Sequence, residues 1–183
     1  MLVLLDRDGV LNRDMKTGIL YLSDFEILPG VPQALAKLTA AGFAIAICTN
    51  QSAVGRGALS LPTLNAIHQK LREAVAEAGG RIDAIFFADD TPENPSERRK
   101  PGPGMLLEAL AMFEADPART PMVGDHLRDM QAAARAGCPR ILVRTGHGAE
   151  TERAGWDAAV APVTVCDDIS AAVEHILSHY AGA

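Results

Sequence analysis

Five short apolar runs recur along the chain, most of them followed by a stretch with helical spacing. The runs are LVLL (2–5), FAIAICT (43–49), IDAIFFA (82–88), TPMVG (120–124) and RILVR (140–144). They are continuous rather than alternating, which suits strands covered on both faces. Around them VPQALAKLTAAG (31–42), LPTLNAIHQKLREAVAEAG (61–79), GPGMLLEALAMFE (102–114), LRDMQAAARAG (127–137) and DISAAVEHILSHY (168–180) read as helices. Gly42, Gly79 and Gly137 fall where helices should end, and Pro62 suits a first helical turn. Strands alternating with helices predict an α/β fold, a parallel sheet with helices on both sides. A chain of 183 residues is expected to make one domain, 1–183, large enough for a sizeable core.

An open parallel sheet binds ligands outside the carboxyl ends of its strands. The residues just past each run therefore matter. The first run ends in Asp6-Arg7-Asp8-Gly9, the second in Thr49-Asn50-Gln51-Ser52, and the fourth in Gly124-Asp125, with Asp129 beyond. The third opens into DDTPENPSERRKPGPG (89–104), a long polar loop carrying Arg98-Arg99-Lys100-Pro101. Any one of these is a plausible turn or cap. All four on one predicted sheet edge exceed what turn chemistry alone supplies.

Charge and cysteine usage exclude several classes. The net charge of -6 argues against phosphate-backbone binding, and 4% aromatic residues against a base-stacking channel, so no nucleic-acid partner is expected. Cys48, Cys138 and Cys166 are far apart with no Cys-x-x-Cys pair, which suggests buried thiols rather than disulfides or structural zinc. MLVLL has no basic flank and is too brief for a signal peptide, and no run approaches the roughly 20 apolar residues that span a bilayer. A cytoplasmic monomer without a membrane partner is the expectation.

Three carboxylates brought together from separate loops would repel one another unless a cation held them. Hard oxygen ligands suit Mg²⁺. A metal-held Asp can attack phosphorus and form an aspartyl phosphate. A Lys beside it would help neutralise the phosphoryl oxygens. A second carboxylate two positions on can protonate the leaving group and then activate water. An EF-hand reading fails, because VLNRDMKTG lacks the further acids in their fixed order.

In order and spacing, DRDGVLN, TNQS, RRKPGPGM and VGDHLRDM resemble the four motifs of haloacid dehalogenase-like phosphatases. The closer likeness is to D-glycero-D-manno-heptose 1,7-bisphosphate phosphatases and histidinol phosphatases, over about residues 2–145. This resemblance implies a Rossmann-like doubly wound sheet with no large cap domain. It implies Asp6 as nucleophile, Asp8 as general acid/base, Thr49 and Asn50 as phosphate contacts and Lys100 as the cation. Mg²⁺ would be held by Asp6, Asp125 and the main-chain carbonyl of Asp8, with Asp129 at the metal site or just behind it. Arg56 and Arg99 would contact the rest of the substrate, although each also reads as a solvated loop charge. The implied substrate is a small phosphorylated metabolite: heptose 1,7-bisphosphate cleaved at position 7 first, histidinol phosphate second. A non-catalytic phospho-ligand binder is the alternative from another class.

Many relatives in this group hold the third loop with zinc, through one Cys, one His and a Cys-x-Cys. The corresponding places here are Ala88, Asp90, Ser96 and Arg98, so no zinc is expected. Proline stiffness and pairs of Asp89 or Asp90 with Arg98 would hold the loop instead, each pair worth roughly 0 to 1 kcal/mol. His126 reads equally as a ligand contact or a solvent-facing helix start, His147 as a plain loop residue rather than part of the site's rim, and His68, His175 and His179 as helix-surface residues. Gly9 should let the chain turn beside the site, and Asn12 is expected near the substrate.

Overall fold

The computed structural model describes residues 1–15 and 18–180. Strands β1 (Leu2–Leu5), β2 (Ala44–Asn50), β3 (Ala84–Ala88), β4 (Met122–Gly124), β5 (Arg140–Val143) and β6 (Thr164–Cys166) form one parallel sheet in the order β3-β2-β1-β4-β5-β6. This is the Rossmann-like doubly wound arrangement expected from the alternating pattern. The strand order reverses between β1 and β4, which leaves a crevice at their carboxyl ends.

The helices are α1 (Val31–Ala40), α2 (Ser52–Gly55), α3 (Leu61–Glu77), α4 (Gly104–Met112), α5 (Leu127–Ala136), α6 (Gly148–Ala154) and α7 (Ile169–Tyr180). On one face α1 packs against α3 and α7, and on the other α4 packs against α5. The central strand shows why LVLL has no polar phase. Val3 and Leu5 enter the core under α1, α3 and α7, while Leu2 and Leu4 enter the core under α4 and α5. All four are essentially inaccessible, and each contributes about 1.5–3 kcal/mol by leaving water. Side chains alternate along a strand. Asp6 therefore continues the Leu2–Leu4 phase and leaves β1 toward the amino ends of α4 and α5.

Between β1 and α1 the described residues contain a 3₁₀ turn, Leu22–Asp24, and two isolated bridges through Asn12, so no cap domain is inserted there. Expected helix ends match closely: Gly42, Gly79 and Gly137 all have positive φ. Ser60 caps α3 by accepting the Thr63 amide at 3.2 Å, with Pro62 in the first turn. The Gly-Pro-Gly turn leads into α4 at Gly104, where a Cβ on Gly102 would lie 2.3 Å from the Glu97 carbonyl.

Three short elements escape the apolar pattern. β6 is three residues long, and α2 is one turn. In α6, GAETERA has no apolar stripe; tertiary contacts hold it, with Thr151 donating to the Asp125 carbonyl at 3.1 Å and Arg144 pairing with Glu152 at 2.7 Å. Two local expectations need correction. Arg98 pairs with Glu108 on α4 at 2.7 Å, not with Asp89 or Asp90, because α4 begins immediately after the turn and presents its carboxylate. Asp90 instead accepts from Ser96 Oγ at 2.7 Å. His68 is buried, not on the surface, since its face of α3 turns toward the loop after β1.

Candidate active site

Asp6 leaves β1 and is 3% exposed. Its Oδ1 lies 2.9 Å from Lys100 Nζ, which lies 2.7 Å from Asp129 Oδ1 on α5. Lys100 and Asp129 are as deeply buried as Asp6. A buried charge in this position needs a partner. Burial opposes the Lys100 charge, but Asp129 and Asp6 hold its pKa above the ordinary value. Burial also opposes the Asp129 charge, and Lys100 and Arg128 hold its carboxyl below the ordinary range. Asp6 is pushed upward by burial, against the pull of Lys100.

Asp125 follows β4 at the other side of the crevice. Its Oδ2 accepts the His147 amide at 2.8 Å, while its buried Oδ1 has no partner among the described residues. Burial, then Asp129 and Asp6, push its pKa up to about 8. Carboxylate oxygens of Asp6, Asp125 and Asp129 lie within 4.8 Å of one another. Buried acids with an unsatisfied oxygen fit a hard divalent cation. Two glycines make the approach to Asp125 possible. A Cβ on Gly9 would meet Asp125 Oδ2 at 2.0 Å and one on Gly146 at 2.1 Å, and both residues have positive φ.

Asp8 differs from Asp6 in every respect. Its carboxylate turns away from the acidic cluster and accepts from Arg7 Nη2 at 2.8 and 3.0 Å, Asn12 Nδ2 at 2.9 Å and Gln51 Nε2 at 2.8 Å. Burial opposes its charge, but Arg7, helped by Asn12 and Gln51, holds its pKa below the ordinary carboxylate range. Gln51 also donates to Thr49 Oγ1 at 2.9 Å. The side chain of Asn50 clamps the loop: Nδ2 donates to the Lys100 carbonyl at 2.9 Å and Oδ1 accepts the Lys100 amide at 3.0 Å. Both its polar atoms thus face Lys100 rather than open space.

Outside these groups a cavity of about 340 Å³ is lined by Asp8, Asn50, Arg56, Arg99, Arg128 and His147, among others. Arg56 donates to Ser52 and Arg99 to the Asp90 carbonyl, both at 2.9 Å. The Arg128 guanidinium makes no hydrogen bond or ion pair to another described residue, and its Nε is buried. His147 pairs with Asp14 at 2.9 Å, and His126 caps α5 opposite Asp129.

Asp6, Lys100, Asp125 and Asp129 thus converge, with Thr49 linked to Asp8 through Gln51. Arg56 and Arg99 stand on the rim. Sequence reading did not single out Arg7, His68, Gln51 and Arg128. The Arg between two acids was a visible signal; nothing local pointed to His68.

The sequence model of HAD-hydrolase-like proteins matches residues 97–172. The D-glycero-beta-D-manno-heptose-1,7-bisphosphate 7-phosphatase of Bordetella bronchiseptica is 43% identical over 176 residues, 96% of this chain and 97% of that protein. The enzyme of the same name from Pseudomonas aeruginosa is 39% identical over 150 residues, 82% of this chain and 84% of that protein. A crystal structure of the D,D-heptose 1,7-bisphosphate phosphatase from B. bronchiseptica, complexed with magnesium and phosphate, superposes with a TM-score of 0.93 at 42% identity, covering 97% of this chain and 98% of that one. With identity of this order over nearly its whole length, the chain belongs to the haloacid dehalogenase-like phosphatases, within the family of D-glycero-D-manno-heptose 1,7-bisphosphate 7-phosphatases.

Proposed function

We propose that the protein removes the 7-phosphate of D-glycero-D-manno-heptose 1,7-bisphosphate with Mg²⁺, through an aspartyl phosphate on Asp6. The observation that carries this reading is the buried Asp6 carboxylate, flanked by Lys100 on one side and by Asp125 with an unsatisfied oxygen on the other. The names of the B. bronchiseptica and P. aeruginosa relatives support the substrate. The magnesium and phosphate in the B. bronchiseptica complex support the metal.

Asp6 and Asp125 would hold the ion, with the Asp8 carbonyl as a further ligand. Asp129 has both oxygens engaged, by Lys100 and the His126 amide, and so stands behind the ligands. Bound there, Mg²⁺ neutralises phosphoryl charge and orients the phosphate.

In the first step Asp6 forms a bond to phosphorus as the ester P–O bond breaks, and the ester oxygen takes its proton from Asp8. Asp8 must first be protonated, against Arg7. The arriving phosphate dianion opposes the Asp8 charge and favours that protonation. In the second step ionised Asp8 takes a proton from water, the water oxygen attacks phosphorus, and the bond to Asp6 breaks. Lys100 compensates charge on the phosphoryl oxygens throughout. Thr49 and the main chain at Asn50 contact the reacting phosphate. Arg56 and Arg99, joined by Arg128, contact the phosphate that is retained.

The reading extends to a single-domain, cytoplasmic monomer with no nucleic-acid partner. No helix among the described residues is long and apolar enough to cross a membrane. The residues at 88, 90, 96 and 98 supply no thiolate or imidazole, so activity should not need zinc.

The test is phosphate release with Mg²⁺ from both anomers of the heptose bisphosphate, from histidinol phosphate and from nucleotides. Asp6→Asn should lower turnover on the order of 10⁴-fold or more. Turnover surviving in Asp6→Asn would remove the nucleophile. Faster cleavage of histidinol phosphate would replace the substrate. No release from any phosphoester would leave a phospho-ligand binding protein.

A further inference from the structure

Arg7 is wholly buried in a loop that otherwise serves the active site. Its Nη2 grips Asp8, and its Nε adds a contact to Asp8 Oδ1 at 3.2 Å. Its other terminal nitrogen, Nη1, lies 3.2 Å from Nε2 of His68, on α3 and 61 positions away in the chain. The Phe25 ring covers the guanidinium, 5.9 Å from its centre. A guanidinium has only donors. His68 Nε2 must therefore accept, which fixes the imidazole as neutral with its proton on Nδ1. Burial, then the charge of Arg7, keep it neutral by pushing its pKa down to about 4.

We propose that His68 is a positioning residue: through Arg7 it fixes the direction in which the Asp8 carboxyl faces the leaving oxygen. Protonation of Asp8 weakens its contacts to Arg7 and gives the guanidinium one degree of freedom, rotation about its long side chain. His68 removes it by anchoring the end remote from Asp8. Asn12 and Gln51 hold the two carboxylate oxygens from other sides, so together with the brace they fix the plane of the carboxyl. When Asp8 gives its proton to the ester oxygen, the carboxylate left behind reforms its full pair with Arg7 in the same orientation. The brace is then ready for the water step.

This rests on Asp8 being the general acid, so the experiment tests both separately. Two small phosphomonoesters are compared under saturating Mg²⁺: an alkyl ester, whose alkoxide needs protonation to leave, and a nitrophenyl ester, whose phenolate does not. Wild type, Asp8→Asn, His68→Leu and His68→Gln are each assayed on both. Pre-steady-state measurements isolate ester cleavage from the water step. Gln can place an acceptor oxygen near the position of Nε2; Leu cannot.

Asp8→Asn should lower the alkyl-to-aryl ratio of cleavage rates by about 100-fold or more. His68→Leu should lower it by about tenfold, acting on kcat more than on KM. His68→Gln should restore most of the ratio. If Asp8→Asn leaves the ratio unchanged, the acid assignment itself fails. If Asp8→Asn changes it but His68→Leu slows both esters equally, His68 is merely structural and the proposal is overturned. Equal effects of Leu and Gln overturn it as well. Thermal melts of both variants identify a folding defect, which would lower both rates together and leave the ratio unmoved.

Discussion

The floor and the rim of the crevice are built on opposite principles. On the floor, Asp6, Lys100, Asp125 and Asp129 are almost inaccessible, and each charge is answered by another within the fold or by one oxygen left for a cation. On the rim, Arg56 is exposed, Arg99 and Arg128 are half-buried, and Arg128 makes no direct ion pair with another described residue, although it feels the charge of Asp129. The protein carries a net charge of -6, yet gathers three guanidiniums around one cavity. The floor resembles a core in which polar groups replaced apolar ones. The rim resembles a surface awaiting an anion. The difference separates reaction from specificity: floor residues are locked to one another by buried charge pairs, whereas their chain neighbours, Arg99 beside Lys100 and Arg128 beside Asp129, present guanidiniums to the cavity.

Four experiments would break or sharpen that contrast. The largest effect is expected from Lys100→Met, which leaves Asp6 and Asp129 facing each other without a cation. Chemical denaturation should show a loss of about 3–5 kcal/mol. A loss below about 1 kcal/mol would mean that the floor is not held as a charge-balanced core.

Magnesium should come next. At about 100 times its dissociation constant it should stabilise the fold by about 3 kcal/mol, read as a rise in melting temperature. Folded Asp125 has its pKa raised to about 8, whereas the unfolded carboxyl is ordinary. Without the ion, the folded state thus binds more protons between the two values, and this contribution to stability should fall as pH rises from about 4 to about 8. Protons and Mg²⁺ compete for the same carboxylate, so the stabilisation by Mg²⁺ should grow over that interval. Within it, between about pH 4 and the ordinary imidazole range near 6.5, His68 acts in the opposite sense, losing stability as pH falls, because its folded pKa is depressed to about 4. A magnesium shift independent of pH would argue that Asp125 is not a ligand.

On the rim, Arg99→Gln should cost about tenfold in kcat/KM for a bisphosphate, in KM more than kcat, with little change in stability. A matching loss for a monophosphate would place Arg99 at the reacting phosphate instead. The smallest effect is expected from Arg98→Gln. Its pair with Glu108 is partly exposed on both sides, and solvent screening limits its contribution to less than about 1 kcal/mol. A larger loss would show that this salt bridge, rather than the turn at Gly102, holds the loop.

Most of the fold was legible because burial leaves a compositional mark. LVLL has no polar phase since both faces are covered, and the positive φ of Gly42, Gly79 and Gly137 ends three helices where glycine stands. Strand β6 and helix α6 were not legible, since each is short and held mainly by tertiary contacts. Asp6, Asp8 and Asp125 could be named because each closely follows a strand, and Lys100 because it stands before Pro101 in the motif that leads into α4. Local sequence could not show that Asn50 turns its amide to Lys100, nor that Arg98 reaches Glu108. Those choices depend on what lies opposite across the crevice.

The sequence by itself determined that two carboxylates leave a buried strand two positions apart, beside a glycine that permits the turn. Only the tertiary structure decided how they differ. Strand phase carries Asp6 inward to Lys100, beside the other acids, where burial raises its pKa. The turn carries Asp8 outward to Arg7, where a paired guanidinium lowers it. A carboxyl's chemistry is set by the charges and the solvent around it, and those arrive from residues as distant in sequence as His68, Lys100 and Asp129.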